Sequence, residues 1–134
     1  MSGVIDKALG IHVMAVEVRA RRAELLATNL ANADTPAYKA KDIDFRAELA
    51  KVQANGEVAR GLVTTHPNHL SLTDSPMDRF ETMYRVPQQP SLDGNTVEPQ
   101  IEQVEFMQNA LQMQTSLRFL DGRIKGLMTA IRGD

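Results

Sequence analysis

His66 and His69 flank a Pro67-Asn68 pair, and Asp74 and Asp78 follow a few residues later. Imidazole and carboxylate are common ligands of divalent metals, so these four side chains are the first candidates for metal chemistry. No third ligand stands at motif spacing, and Pro-Asn is a turn signal. The pair therefore reads as turn residues on a loop, and no metal or other cofactor is expected. Asp42 and Asp44 flank Ile43 as a candidate carboxylate pair. General acid–base work needs a cleft around such a pair, and nothing nearby forecasts one. His12 falls within an apolar helical stripe, which makes it a seam or interface residue rather than a base. Arg19, Arg21 and Arg22 form a small basic cluster, but Glu17 and Glu24 beside them make it a solvated or salt-bridged helix face. Three arginines also supply few phosphate contacts. No phosphate-binding loop, dinucleotide fingerprint, zincin motif or nucleophile elbow occurs. The absence of cysteine excludes disulfides, thiolate metal sites and a Cys nucleophile. These candidates do not combine into a catalytic constellation, so neither an enzyme nor a small-molecule substrate is expected.

The chain that must position them has 134 residues, enough for one ordinary domain. Hydrophobic residues make up 43%, but aromatics only 4%, with no Trp. Aromatics carry the largest burial per residue, so aliphatic helix packing is the natural way to build a core. A formal charge of −2 with no long run of one sign disfavours nucleic acid as a partner. No stretch approaches the roughly 20 uncharged apolar residues of a membrane helix. The N-terminal stretch carries Asp6, Lys7 and Glu17 and lacks the layout of a secretory signal, so any exit from the cytoplasm is expected to proceed without signal cleavage.

Residues 1–33 contain no proline. Ile5, Leu9, Val16, Ala23, Leu26, Leu30 and Ala33 recur at helical spacing, with Val4, Ala8, Ile11, Ala15, Val18 and Leu25 as a parallel row. Asp6, Gly10, Glu17, Arg21, Glu24 and Thr28 occupy the other side. This predicts an amphipathic helix. It should stop near Ala33, because Pro36 biases Thr35 away from the α region.

The C-terminal signal is stronger. Phe106, Ala110, Met113, Leu117, Leu120, Ile124, Leu127 and Ile131 alternate steps of four and three, an apolar seam over almost four heptads. Asn95 or Thr96 is the predicted cap, with Pro99 in the first turn. Early acids (Glu98, Glu102, Glu105) and late bases (Arg123, Lys125, Arg132) match the helix dipole. Gly122 and Gly126 lie within the seam's span. Each costs a helix about 1 kcal/mol relative to Ala, which suggests close approach of another backbone.

Between these ends the chain is less apolar and proline-rich. Ile43 to Val52 reads as a short helix, and Leu62–Thr65, His69–Leu72 and Met83–Val86 read as short strands. The expected fold is mainly α. Long N- and C-terminal amphipathic helices pair as an antiparallel coiled-coil-like unit, with a small irregular or β-containing middle. The expected division is 1–35, 36–95 and 96–134.

The run from Leu25 to Lys39 resembles the signature of the bacterial flagellar rod and hook axial proteins, in outline N-[LI]-A-N-x-x-T-P-G-Y-K. Asn29, Leu30, Ala31, Asn32, Thr35, Pro36, Tyr38 and Lys39 match it. Ala37 stands where glycine is usual, and a Cβ there argues against a positive φ. Lys41-Asp42-Ile43-Asp44-Phe45, Asn95-Thr96-Val97-Glu98 and the ending from Ser116 to Gly133 are similar to the proximal-rod type of that family. The resemblance implies a structural subunit of the periplasmic rod of the flagellar basal body, exported uncleaved by the flagellar type III apparatus. Its terminal helices would line a hollow helical tube. Implied partners are FlgC-type and further rod proteins, a FliE-type adaptor and the export apparatus. Ile5, Leu9, Val16, Leu26, Leu30, Phe106, Met113, Leu117, Leu120, Ile124, Leu127 and Ile131 are the expected assembly interface. The alternative is a helical adaptor or export chaperone that grips a partner helix.

Overall fold

The proline-free N-terminal run becomes α1, Ser2–Ala31, and the heptad region becomes α3, Pro99–Arg132. Between them lie β1 (Lys41–Asp42), α2 (Phe45–Asn55) and β2 (Met83–Tyr84). This computed structural model describes residues 2–55 and 80–133, with 2–8 and Asn55 as backbone only. The expected strands Leu62–Thr65 and His69–Leu72 lie outside the described residues. The fold is mainly helical, with the two long helices packed together and a small strand-containing middle.

The long helices run antiparallel. Arg19 Nη1 donates to Gln112 Oε1, Asn109 Nδ2 donates to the Arg19 carbonyl (2.9 Å), and Arg22 Nη2 reaches Glu105 Oε2 (2.7 Å). Asn29 Nδ2 reaches Glu102 Oε2 (3.2 Å), so positions rise on α1 as they fall on α3. The chemistry of this seam differs from the expected apolar one. Glu102 and Asn109 are fully buried against α1, and Glu105, Gln112 and Ser116 are half-buried. The apolar side of α1 is covered instead from the middle of the chain. Met14, Val18 and Leu25 pack with Ile43 and Phe80, and Phe45 and Val52 close the cluster. The reason is rotational. A polar row of α3 that can hydrogen-bond faces α1, which turns much of the apolar seam outward.

Helix α1 ends at Ala31, earlier than Pro36 requires. The amide of Asn95 is buried and donates to the carbonyls of Asn32 (3.0 Å), Ala33 (2.7 Å) and Thr35 (3.0 Å). Those carbonyls belong to the turn just past the last residue of α1, and Asn32 O also accepts from Thr35 N (3.0 Å). Asn95 therefore holds the turn after α1 rather than capping α3. Its Oδ1 accepts from Val97 N (2.8 Å), and Thr96 Oγ1 accepts from Ala40 N (2.8 Å). The N-cap of α3 is Glu98, without a side-chain cap bond, and Pro99 opens the first turn. At the other end Gly133 closes α3 in the left-handed region, so Gly122 does not break the helix.

Asn95→Ala is thus expected to destabilise the folded chain by about 2 kcal/mol, since it strips the buried Val97 N–H and the carbonyls of the turn of their shared side-chain partner. Pro36→Ala, at an exposed turn beyond the helix end, should cost no more than about 1 kcal/mol. Chemical denaturation of both variants checks the order, which the proline-stop reading would reverse.

Asp44 starts α2, its Oδ1 accepting from Arg46 N (2.9 Å) and Ala47 N (3.1 Å), an N-cap that shifts the helix two residues past Ile43. β2 is the first half of the expected Met83–Val86 strand. It pairs antiparallel with β1, Lys41 opposite Tyr84 and Asp42 opposite Met83. Ala37 corrects the expectation drawn from its Cβ: its φ is 59°, left-handed. Its N–H donates to Asp93 O (2.9 Å), which helps hold a conformation costing about 1–2 kcal/mol for an L-residue.

Candidate functional site

The signature residues form a clasp at the end of α1. Asn29 is fully buried, and its side-chain amide pairs with both backbone groups of Lys41. Nδ2 donates to Lys41 O (2.8 Å), while Oδ1 accepts from Lys41 N (3.1 Å) and from Tyr38 Oη (3.5 Å). Only an amide offers donor and acceptor together at this length, since Asp would lose the donor and Leu both. Asn32 Nδ2 donates to Thr28 O (2.8 Å), and its Oδ1 accepts from Thr35 Oγ1 (3.1 Å). Lys39 Nζ donates to Gly94 O (2.8 Å), and Thr96 N donates to Tyr38 O (3.0 Å). Leu30 is half-buried, whereas Ala31 and Pro36 are exposed. The clasp ties the turn after α1 to the segment that leads into α3.

Beside it lies a partly buried charge network. Arg22 grips Asp42 with two bonds (2.8 and 3.0 Å) and reaches Glu105 with Nη2. Arg85 Nη2 donates to Asp42 Oδ2 (2.5 Å), and its Nη1 donates to Glu102 Oε1. Burial alone would raise the Asp42 carboxyl, but bonds from Arg22 and Arg85 overcome it and hold the group below its ordinary range. Burial pushes Glu102 the other way, above its ordinary value, against the opposing Asn29 amide and Arg85 charge. Asp42 and Asp44 therefore do not act together: one is locked between guanidinium groups and the other caps α2. Arg21 pairs with Glu24 (2.8 Å), and His12 is half-buried on α1. His66, His69, Asp74 and Asp78 lie outside the described residues. The network fixes the two long helices against the ribbon and leaves no carboxylate poised for proton transfer.

The apolar seam of α3 divides into two seven-residue rows. Met113, Leu120 and Leu127 lean toward the helix pair and are half-buried, with Phe106 near the edge. Ala110, Leu117, Ile124 and Ile131 face outward, Leu117 at 45% and Ile131 at 79% exposure. On α1, Leu26 belongs to the private interior, fully buried, while Leu9, Val16 and Leu30 are half-buried. Ile5 lies where only backbone is described. A Cβ at Gly122 or Gly126 would meet nothing within 4 Å, so the close approach expected there is not made by the described residues of this chain.

Sequence reasoning missed the polar row from Glu102 to Ser116, Asn95 and Arg85. The signal for the first was present, because Glu102, Glu105, Asn109, Gln112 and Ser116 also alternate steps of three and four. Polar residues at that spacing read as a solvated face unless complementary groups are known to lie opposite.

A pair of long helices locked by a polar clasp, with an apolar row left uncovered, defines a structural subunit of the axial-protein class. No catalytic arrangement accompanies it among the described residues. The chain is 52% identical over 134 residues to the flagellar basal body rod protein FlgB of Cereibacter sphaeroides, covering 100% of both chains. It is 47% identical over 131 residues to that of Aeromonas hydrophila, covering 96% of each. With the Escherichia coli K12 protein the identity is 45% over 131 residues, covering 96% of this chain and 95% of the relative. No family model matches. The chain belongs to the FlgB family of flagellar basal body rod proteins. It is a structural component of the basal-body rod that serves motility, and not an enzyme. No helix among the described residues is long and apolar enough to cross a membrane.

Proposed function

We propose that this chain forms the membrane-proximal part of the rod, joining copies of itself and neighbouring rod proteins through its terminal helices into a hollow helical tube. The observation that carries this reading is the uncovered row Ala110, Leu117, Ile124 and Ile131 beside a private seam that is closed by polar bonds between α1 and α3. A surface repeated head to tail without closing a ring builds a helical tube. In this reading the ends, 1–35 and 96–134, do the assembling, and 36–95 holds them in register. Leu9, Val16, Leu30, Phe106, Met113, Leu117, Leu120, Ile124, Leu127 and Ile131, with Ile5, form the interface. Leu26 supports it from inside. The open neighbourhood of Gly122 and Gly126 would admit a neighbouring helix backbone. FlgC-type rod proteins, a FliE-type adaptor and the flagellar type III export apparatus are the proposed contacts, and the periplasmic rod is the proposed location. Because α1 supplies Val18, Leu25 and Asn29 to the folded core, it is proposed to travel uncleaved.

The natural chain has no cysteine, so single cysteines report cleanly. Leu117→Cys or Ile124→Cys should form cross-links to a neighbouring rod subunit in isolated basal bodies treated with a short bifunctional thiol reagent or its amine–thiol equivalent. Arg118→Cys, on the far side of the row, should form fewer. Equal yields at all three positions would remove the row as the interface.

A further inference from the structure

Arg19 is a buried guanidinium with too few partners. The residue is 9% exposed, and its Nε–H is buried without a hydrogen-bond acceptor among the described residues. Nη1 donates to Gln112 Oε1, and the guanidinium carbon lies 3.8 Å from the centre of the Phe45 ring. No carboxylate pairs with it among the described residues. The adjacent arginine cannot share a counter-ion, because Arg22 is committed to Asp42 and Glu105. Burial, and then the Arg22 charge, push Arg19 below its ordinary range.

Arg19 lines a groove of about 490 Å³ together with Arg22, Ile43, Asp44, Phe45, Arg46 and Gln112. Arg46 is exposed and has no ion-pair partner among the described residues. With Arg22 taken up by Asp42 and Glu105, Arg19 and Arg46 against Asp44 leave a single positive charge unbalanced among the described residues, which suits a monoanion better than a phosphate. A guanidinium presents its N–H groups as a planar fork matched to a carboxylate. The Phe45 ring supplies an apolar wall for the methylene stem behind such a group.

We propose that this groove receives one carboxylate side chain, Asp or Glu, from a neighbouring subunit of the rod, bound by Arg19 and Arg46. The partner, though not the groove, rests on the assembly reading above. It adds a polar, geometrically specific contact to an otherwise apolar interface, which fixes the rotation of one subunit against the next.

The test uses the full chain with ¹⁵N-labelled arginine. Acetate, added at constant ionic strength against chloride, should move the Arg19 Nε–H resonance along a saturating curve. Arg46→Gln should weaken the acetate response by about three-fold or more, with the melting temperature unchanged, as expected for loss of an exposed charge. No saturable shift would overturn the groove, and tighter saturation by inorganic phosphate would overturn the carboxylate class. For the partner, a photo-crosslinker at position 46 in isolated basal bodies should capture an Asp- or Glu-containing peptide of another rod subunit. Capture confined to residues 56–79 of the same chain, or no capture, would overturn it. The two readings fail separately. A chain carrying Leu117→Asp should keep the acetate response whether or not it assembles, so an assembly defect without that response sinks the groove alone.

Discussion

Leu117→Asp is expected to abolish rod incorporation and motility while leaving the isolated chain folded. Leu117 is 45% exposed on the uncovered row of α3, so in the monomer the carboxylate stays in water. A surface change of this kind typically alters stability by no more than about 0.5 kcal/mol. In the tube the same charge would enter an apolar contact unpaired, at a cost of several kcal/mol per subunit. Leu26→Ala should behave in the opposite way. That residue is fully buried inside the chain, and its truncation should destabilise the monomer by about 3 kcal/mol. Arg118→Ala, exposed and off the row, should be mild in both respects. Motility in soft agar, rod content of isolated basal bodies and thermal denaturation together separate the three. Normal motility of Leu117→Asp would remove the row as an interface, and unfolding of that variant would assign the row to a private core.

The sequence placed the two helices well because each carries a long periodic pattern, and periodicity survives tertiary context. It also identified Asn29, Asn32, Tyr38 and Lys39 as a set, through resemblance, but not what they bind. Their partners lie elsewhere in the chain: Lys41 for Asn29, Gly94 for Lys39, Thr96 for Tyr38. The rotation of α3 was not legible for a related reason. An apolar row at heptad spacing is the default seam, yet here Glu102 and Asn109 take the central positions, where Asn29 and Arg85 bond the Glu102 carboxylate and the Arg19 carbonyl accepts from Asn109 Nδ2. Asn95 shows the same limit. Its type and position before a helix fit an N-cap, and nothing local says that the end of α1 lies within reach. Ala37 is the remaining case, where a Cβ argued for ordinary backbone while the bond to Asp93 holds the left-handed turn.

Arg85→Met should be among the most destabilising single changes, and its size should depend on pH. Arg85 joins Asp42 of β1 to the fully buried Glu102 of α3. Methionine keeps much of the volume and removes the charge. Asp42 retains its two-bond pairing with Arg22, but Glu102 is left with the Asn29 amide alone, at 3.2 Å. Breaking a buried pair by removing one partner costs about 3–5 kcal/mol at neutral pH. The Glu102 carboxyl is already raised by burial, and loss of the opposing Arg85 charge raises it further. Between its unfolded and folded values the folded chain then binds more protons than the unfolded one, so stability falls as pH rises through that window. Asp42 works in the opposite sense in the natural chain. Its lowered carboxyl contributes stability that is complete above the ordinary aspartate value and is lost as pH falls toward the folded one. The natural chain should therefore weaken in acid, while Arg85→Met recovers part of its deficit there. Glu102→Gln in the Arg85→Met background removes the charge that needs a partner and should restore about 2 kcal/mol at neutral pH, with little rescue in acid. Denaturant melts at about pH 4 and about pH 8, below and above most of the Glu102 window, measure both effects. An equal loss at the two pH values, or no rescue by Glu102→Gln, would mean that Arg85 acts by packing rather than by charge.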